Sequence, residues 1–363
     1  MFTCTLAQAQ IFKDISIPTR VTDAAKKNLL ADVYGSDSTT PKPVILIQTP
    51  YNKGLYRLAL GTLGGQSGAG IPYDTTKFNY VMVDWRGFYA NKDADITPYN
   101  RGLDGYDIVE WIATQPWCNG KVGTWGGSAL GQIQFQTAAQ KPPHLVCAAP
   151  FIKDFKTKYE DYYYGGDYRK EHVQSLVKLG FITEQTVLAH PTNDKVWTVA
   201  ENQTDNADQI AVPLLMCSGW FDHFPSDVLR AFDDVTKKSD PNVRDKHKLL
   251  YGPWQHSAIG VSKQGVLDFP DAEDLPTDMG MKFFGFYLRG EKINWEGMPA
   301  VQYYQMGENK WKTTNDWKSV GTHTGVLYFR EGNKLSLEEP PINIKEVPPD
   351  TLIADSKTPV PTI

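Results

Sequence analysis

One segment constrains the fold more than any other: Lys121-Val122-Gly123-Thr124-Trp125-Gly126-Gly127-Ser128-Ala129-Leu130-Gly131 reads as a strand, a glycine-dense turn with serine at its apex, and a helix. A turn this sharp brings the strand and helix backbones into close approach, so residues without bulk are needed around the serine. Gly126, Gly127 and Gly131 supply them. The segment therefore predicts a nucleophile elbow that strains Ser128 and turns its hydroxyl toward a cleft. Its spacing is G-x-S-x-x-G rather than the commoner G-x-S-x-G, and a glycine-rich βα turn with an N-cap serine fits the same residues.

The surrounding pattern gives the class. Short apolar runs recur at Pro43 to Gln48, Tyr80 to Asp84, Lys121 to Thr124, Leu145 to Ala149, Val212 to Cys217 and His247 to Tyr251, after an edge-like segment around Ile15 to Tyr34. They are rich in Val, Ile and Leu rather than alternating, as expected of parallel strands covered on both faces. Between them lie amphipathic helical stretches, Leu103 to Thr114 and Ala129 to Gln140. Strands alternating with helices predict an α/β protein, and with the elbow an α/β-hydrolase fold.

A serine hydroxyl needs a base, and in this fold the partners follow in the order Ser, then Asp or Glu, then His, each on a loop after a later strand. The run ending at Ser218 leads into Gly219-Trp220-Phe221-Asp222, and the run ending at Tyr251 leads into Gly252-Pro253-Trp254-Gln255-His256. Ser128 is accordingly the expected nucleophile, His256 the general base and Asp222 the acid that orients it. His223 is the rival base but follows the wrong strand; His144, His172, His190 and His323 read as surface or capping residues, and His247 opens a strand. An oxyanion hole needs donors. One is expected to be the backbone N–H of Ala129. The loop Thr49-Pro50-Tyr51-Asn52-Lys53-Gly54 lacks an HGGG run, so Tyr51 is either the second donor through its phenol or a tyrosine packed at a strand end.

Composition narrows the function classes. The 363 residues carry a formal charge of -5 with acids and bases interspersed, and no basic run is long enough to track a phosphate backbone or an anionic bilayer, so neither nucleic acid nor membrane is an expected partner. No apolar run reaches the roughly 18 residues of a spanning helix. The four cysteines, Cys4, Cys118, Cys147 and Cys217, stand singly, and Cys147 and Cys217 sit in apolar runs as core residues. No HExxH motif or cluster of His and carboxylate ligands suggests a metal, and no organic cofactor is implied.

The expected organisation is a hydrolase domain in two parts, residues 11–150 and 211–300, interrupted at 151–210 by a polar, aromatic, mostly helical insertion that caps the site. Residues 301–363 turn to β patterns and read as part of a separate C-terminal β domain. Residues 1–10 contain Ala7-Gln8-Ala9, which reads either as the remnant of an export signal or as an ordinary terminus.

Taken together, PYNKG (Pro50 to Gly54), VDWRGFY (Val83 to Tyr89), Asp104 to Gly131, SGWFDHF (Ser218 to Phe224) and GPWQH (Gly252 to His256) resemble the CocE/NonD hydrolases, which include cocaine esterase, acylases, α-amino-acid ester hydrolases and Xaa-Pro dipeptidyl-peptidases. The resemblance implies nucleophile Ser128, acid Asp222, base His256 and oxyanion-hole tyrosine Tyr51, with a helical cap and a C-terminal jelly roll. The closing TPVPTI is similar to a motif inside that jelly roll, so the chain is expected to lack much of it. Relatives commonly carry Tyr-Leu or Tyr-Glu after the nucleophile, whereas this chain has Ala129-Leu130, which argues against the amino-acid ester hydrolase subgroup.

The expected function is hydrolysis of a small carboxylic ester or amide through an acyl-enzyme, of esterase or acylase type, with Xaa-Pro dipeptidyl-peptidase and a non-catalytic binding protein as alternatives. A dipeptidyl-peptidase must pair its substrate's ammonium with a carboxylate near the cap. Asp154, Glu160, Asp161 and Asp167 lie in the right region but read first as solvated cap charges. Tyr159, Tyr162, Tyr163 and Tyr164 either line an aromatic acyl pocket or pack the cap.

Overall fold

The computed structural model describes residues 10–20, 28–35, 40–57, 73–94, 100–321, 325–330, 332 and 334–340. The Ala7-Gln8-Ala9 pattern, Cys4, His323 and the closing TPVPTI lie outside the described residues.

Ten strands form one sheet: β1 (Gln10–Ile17), β2 (Leu29–Gly35), β3 (Lys42–Thr49), β4 (Asn79–Asp84), β5 (Cys118–Gly127), β6 (Leu145–Phe151), β7 (Leu215–Phe221), β8 (Lys248–Gln255), β9 (Val301–Gln305) and β10 (Lys310–Thr314). Their spatial order is β1-β2-β4-β3-β5-β6-β7-β8-β9-β10. The antiparallel β1–β2 and β2–β4 pairs make one edge, and the strands from β4 through β3 to β9 run parallel. The reversal between β3 and β4 creates a switch point, where ligand sites of open α/β sheets gather at the strands' C-terminal ends.

The apolar runs are continuous because both faces are buried. Along β3, Val44 and Leu46 join one core cluster, while Ile45 and Ile47 join the other. The first cluster packs on α1 (Arg101–Ala113), α2 (Ala129–Ala139) and a helix at Pro225–Lys238, through Ile108, Phe135 and Val228 among others. The second packs on the helix at Leu275–Arg289 through Met279, Phe283, Phe284 and Leu288. Side chains alternate across a strand, so a strand covered on both sides has no polar face to show. Cys147 and Cys217 are fully buried among them.

The cap lies between β6 and β7, which are sheet neighbours at Phe151 and Cys217. It holds a short hairpin and the helices α3 (Lys170–Lys178), α4 (Glu184–Leu188) and α5 (Lys195–Thr204), around a small core of Tyr162, Tyr163, Val173, Val187 and Trp197. Among the described residues no helix is long and apolar enough to cross a membrane.

Two expectations are corrected. Pairing in β7 runs over Leu215–Phe221 rather than Val212 to Cys217, because Pro213 has no N–H to give the ladder and Leu214 makes only an isolated bridge to Ala148. Residues 301–314 do not open a separate β domain at 301: Val301 pairs in parallel with Leu249 of β8, and β10 folds back antiparallel on β9, so the hydrolase sheet continues to Thr314. The valine and tyrosines of VQYYQ mark a strand but carry no information about which sheet it joins. The described part that follows contains a two-stranded ribbon, Tyr328–Arg330 with Lys334–Ser336.

Candidate active site

Strand β5 runs through Gly127, and α2 starts at Ala129, so one residue makes the whole turn. Ser128 adopts φ 57° and ψ -122°, a conformation costly for a residue with a Cβ. Its N–H donates to the Phe151 carbonyl at 2.9 Å, and its own carbonyl accepts from Gly131 and Gln132, which fixes the turn. The glycines are required by space. A Cβ on Gly126 would lie 2.4 Å from Leu130 Cβ, and one on Gly131 would lie 2.6 Å from the Phe151 carbonyl oxygen.

Asp222 and His256 follow the ends of β7 and β8 directly. His256 Nε2 is 2.9 Å from Ser128 Oγ, and its Nδ1 is 3.0 Å from Asp222 Oδ2. The Asp222 carboxylate is fully buried, while the imidazole keeps 24% of its side-chain surface exposed. Asp222 Oδ1 accepts from the Phe224 N–H at 2.7 Å, so the carboxylate is held at both oxygens.

Tyr51 stands at the end of β3, its N–H donating to Thr49 Oγ1. The loop beneath it is pinned by Lys53, a fully buried lysine whose N–H donates to Asp84 and whose ammonium lies 2.9 Å from Asp32 and 2.5 Å from Asp14. Burial pushes the Tyr51 phenol up, against the effect of a hydrogen bond with Ser128, so the group remains a protonated donor at neutral pH. Ala129 opens α2 and lines the same cavity as Tyr51, Ser128 and His256. A helix's first N–H groups have no intrahelical partner, so the Ala129 amide is available to an oxyanion.

The cavity measures about 490 Å³ and lies between the elbow and the cap. His172, Ser175 and Leu176 line it from one face of α3, Leu179 continues that face at the helix's C-cap, and Phe181 and Ile182 line it beyond. His172 is therefore a cavity residue rather than the surface residue expected from sequence. Its imidazole is pushed down to about 4 by burial first, then by Arg169, His223 and His256. His223 sits between His172 and His256, with ring centroids 6.0 and 5.1 Å away, and is likewise pushed down chiefly by burial. The i, i+3, i+4, i+7 pattern of the α3 face was the signal available for finding His172.

The cap carboxylates divide. Glu160 and Asp167 are exposed, as expected, but Asp154 and Asp161 are buried and paired rather than solvated. Lys153 bonds Asp154 and lies 3.5 Å from Asp161, while Lys158 reaches Asp154 at 3.3 Å and Asp227 at 2.8 Å. Asp161 also accepts from the Lys158 N–H. Burial raises the Asp161 carboxyl against the pull of Lys153, whereas for Asp154 the two lysines overcome burial and hold it low. Of the cap tyrosines, Tyr162 lines the cavity; Tyr159 and Tyr163 stack 4.8 Å apart within the cap, and Tyr164 is exposed.

The family described as X-Pro dipeptidyl-peptidase (S15 family) matches residues 27–186 and 169–258. Cocaine esterase of Rhodococcus sp. (strain MB1 Bresler) is 27% identical over 354 residues, covering 83% of this chain and 60% of that protein. An aminopeptidase from the marine sediment archaeon Thaumarchaeota archaeon superposes with a TM-score of 0.76 at 21% identity, over 94% of this chain and 64% of that one. A CocE/NonD family hydrolase from Staphylococcus aureus gives 0.68 at 21% identity, over 91% and 60%. At these identities the structural likenesses show the α/β-hydrolase fold alone.

Proposed function

We propose that this chain, which belongs to the X-Pro dipeptidyl-peptidase (S15) family, is a serine hydrolase that cleaves carboxylic esters or amides through an acyl-enzyme. The observation that carries the proposal is the unbroken chain from Ser128 Oγ through His256 to Asp222, with contacts of 2.9 and 3.0 Å.

In this reading Ser128 Oγ attacks the substrate carbonyl while His256 Nε2 takes its proton. Asp222 holds Nδ1–H and stabilises the imidazolium. The Tyr51 hydroxyl and the Ala129 N–H stabilise the oxyanion. Collapse expels the alcohol or amine, which takes the proton from His256, and water repeats the sequence to release the acid and restore Ser128.

One observation favours an esterase or acylase over a dipeptidyl-peptidase. Both oxygens of Asp161, the carboxylate that lines the cavity, are already engaged by Lys153 and Lys158. A substrate ammonium would have to displace a buried pair, and breaking such pairs is costly. The experiment is hydrolysis of p-nitrophenyl butyrate beside Gly-Pro-p-nitroanilide by wild type and Ser128→Ala. Ester turnover that vanishes in the variant, with little anilide release, supports the reading; dominant anilide release moves it to dipeptidyl-peptidase.

A further inference from the structure

The cavity wall carries a cation that its surroundings do not neutralise. Arg101, the first residue of α1, lines the cavity with Trp85, Gln132 and Gln136. Its guanidinium lies over the rings of Trp85 and Phe88, 5.0 and 5.7 Å from their centroids. Stacking occupies the face of the guanidinium and leaves its N–H edge free to pair. Among the described residues it has no hydrogen-bond or salt-bridge partner, and its Nε is buried unsatisfied. The carboxylate that acts on it is Asp104, one turn further along α1, but both oxygens of Asp104 are held by Arg86 at 2.6 and 3.0 Å. Burial lowers the Arg101 guanidinium from its ordinary range against that distant attraction.

The rest of the wall is balanced. Lys153 and Asp161 belong to the paired cluster, and His172 and His223 are held toward their neutral forms. A half-buried cation whose Nε is out of reach of water is costly without an anion beside it, unless something supplies one. Gln132 and Gln136, one and two turns along α2 from Ser128, add amide groups to the same wall.

We propose that Arg101 is a specificity-determining residue that pairs with a carboxylate carried by the substrate. The proposal rests on the hydrolase reading for the identity of the reacting bond, but the carboxylate subsite itself does not. The carboxylate sits either on the acyl group or on the leaving group. A planar guanidinium suits it because two parallel N–H···O bonds can form along its edge.

The test measures binding apart from turnover. Calorimetry on Ser128→Ala compares p-nitrophenyl hemisuccinate with its methyl ester, for the acyl arm, and 4-butyryloxybenzoate with its methyl ester, for the leaving-group arm. At least one carboxylate should bind roughly ten- to a hundredfold more tightly than its ester. That preference should vanish in Ser128→Ala/Arg101→Met, and Arg101→Gln serves if the methionine variant does not fold. Equal binding of acid and ester in both arms, or a preference that survives loss of the guanidinium, overturns the proposal. Wild-type turnover of the same esters is read separately: Arg101-dependent binding without any turnover sinks the hydrolase reading and leaves the subsite standing, and turnover without Arg101 dependence does the reverse.

Discussion

His256 and Ser128 are separated by 128 positions in the chain, yet His256 Nε2 and Ser128 Oγ lie 2.9 Å apart. The contact exists because β5 and β8 lie in the parallel part of one sheet and end on the same side of it, β5 in the turn at Ser128 and β8 just before His256. If the histidine acts as base, its orientation is the property to perturb. Asp222→Asn leaves the packing in place but favours the wrong tautomer, and should lower kcat on p-nitrophenyl butyrate by about four orders of magnitude. A loss below tenfold would remove Asp222 from the role.

Tyr51→Phe deletes one hydroxyl and keeps the ring. An oxyanion donor acts on the transition state, so kcat should fall by roughly a hundred- to a thousandfold with KM little changed. A change confined to KM would mark Tyr51 as a binding residue instead.

Gly131→Ala tests the elbow as a steric object. The added methyl would start 2.6 Å from the Phe151 carbonyl oxygen, which is backbone and cannot swing away. Urea unfolding should show a loss of about 1–3 kcal/mol, and any folded fraction should turn over more slowly because Ser128 is displaced. An unchanged midpoint and rate would mean that the strand and helix have room to separate.

Much of this site could be read from the residues because its chemistry is tied to strand ends: Ser128, Asp222 and His256 each follow an apolar run, and Tyr51 follows another. The elbow's glycines announce themselves because bulk is forbidden there. His172 and Arg101 could not be read the same way. Each reaches the cavity through tertiary placement of a helix, α3 in the cap and α1 beside the sheet, and a lone polar residue on a helix reads as solvated unless the partner surface is known. Asp154 and Asp161 looked solvated for the same reason, although Lys153 and Lys158 bury with them. β9 is visible as a strand, but its residues give no hint that it joins β8.

His247 predicts a pH dependence of stability. It is buried, its ring accepts from the Leu214 N–H and meets Ser239 Oγ at 3.0 Å, and burial pushes its imidazole down to about 3. The unfolded chain takes up a proton near the ordinary histidine value of about 6.5, which the folded chain refuses until near 3. Stability from this group is therefore complete above the unfolded value and declines as pH falls between the two. His247→Gln should flatten that decline by a few kcal/mol, measured as the difference in unfolding free energy between pH 7 and pH 4. Parallel wild-type and variant profiles would show that other groups control the acid limb.

The most direct measurement is labelling with a fluorophosphonate, followed by peptide mass spectrometry. A single adduct on Ser128, formed rapidly by wild type, lost in Ser128→Ala and strongly slowed in His256→Ala, is the predicted result. Absence of label from folded protein, or an adduct on another residue that persists in Ser128→Ala, would contradict the account.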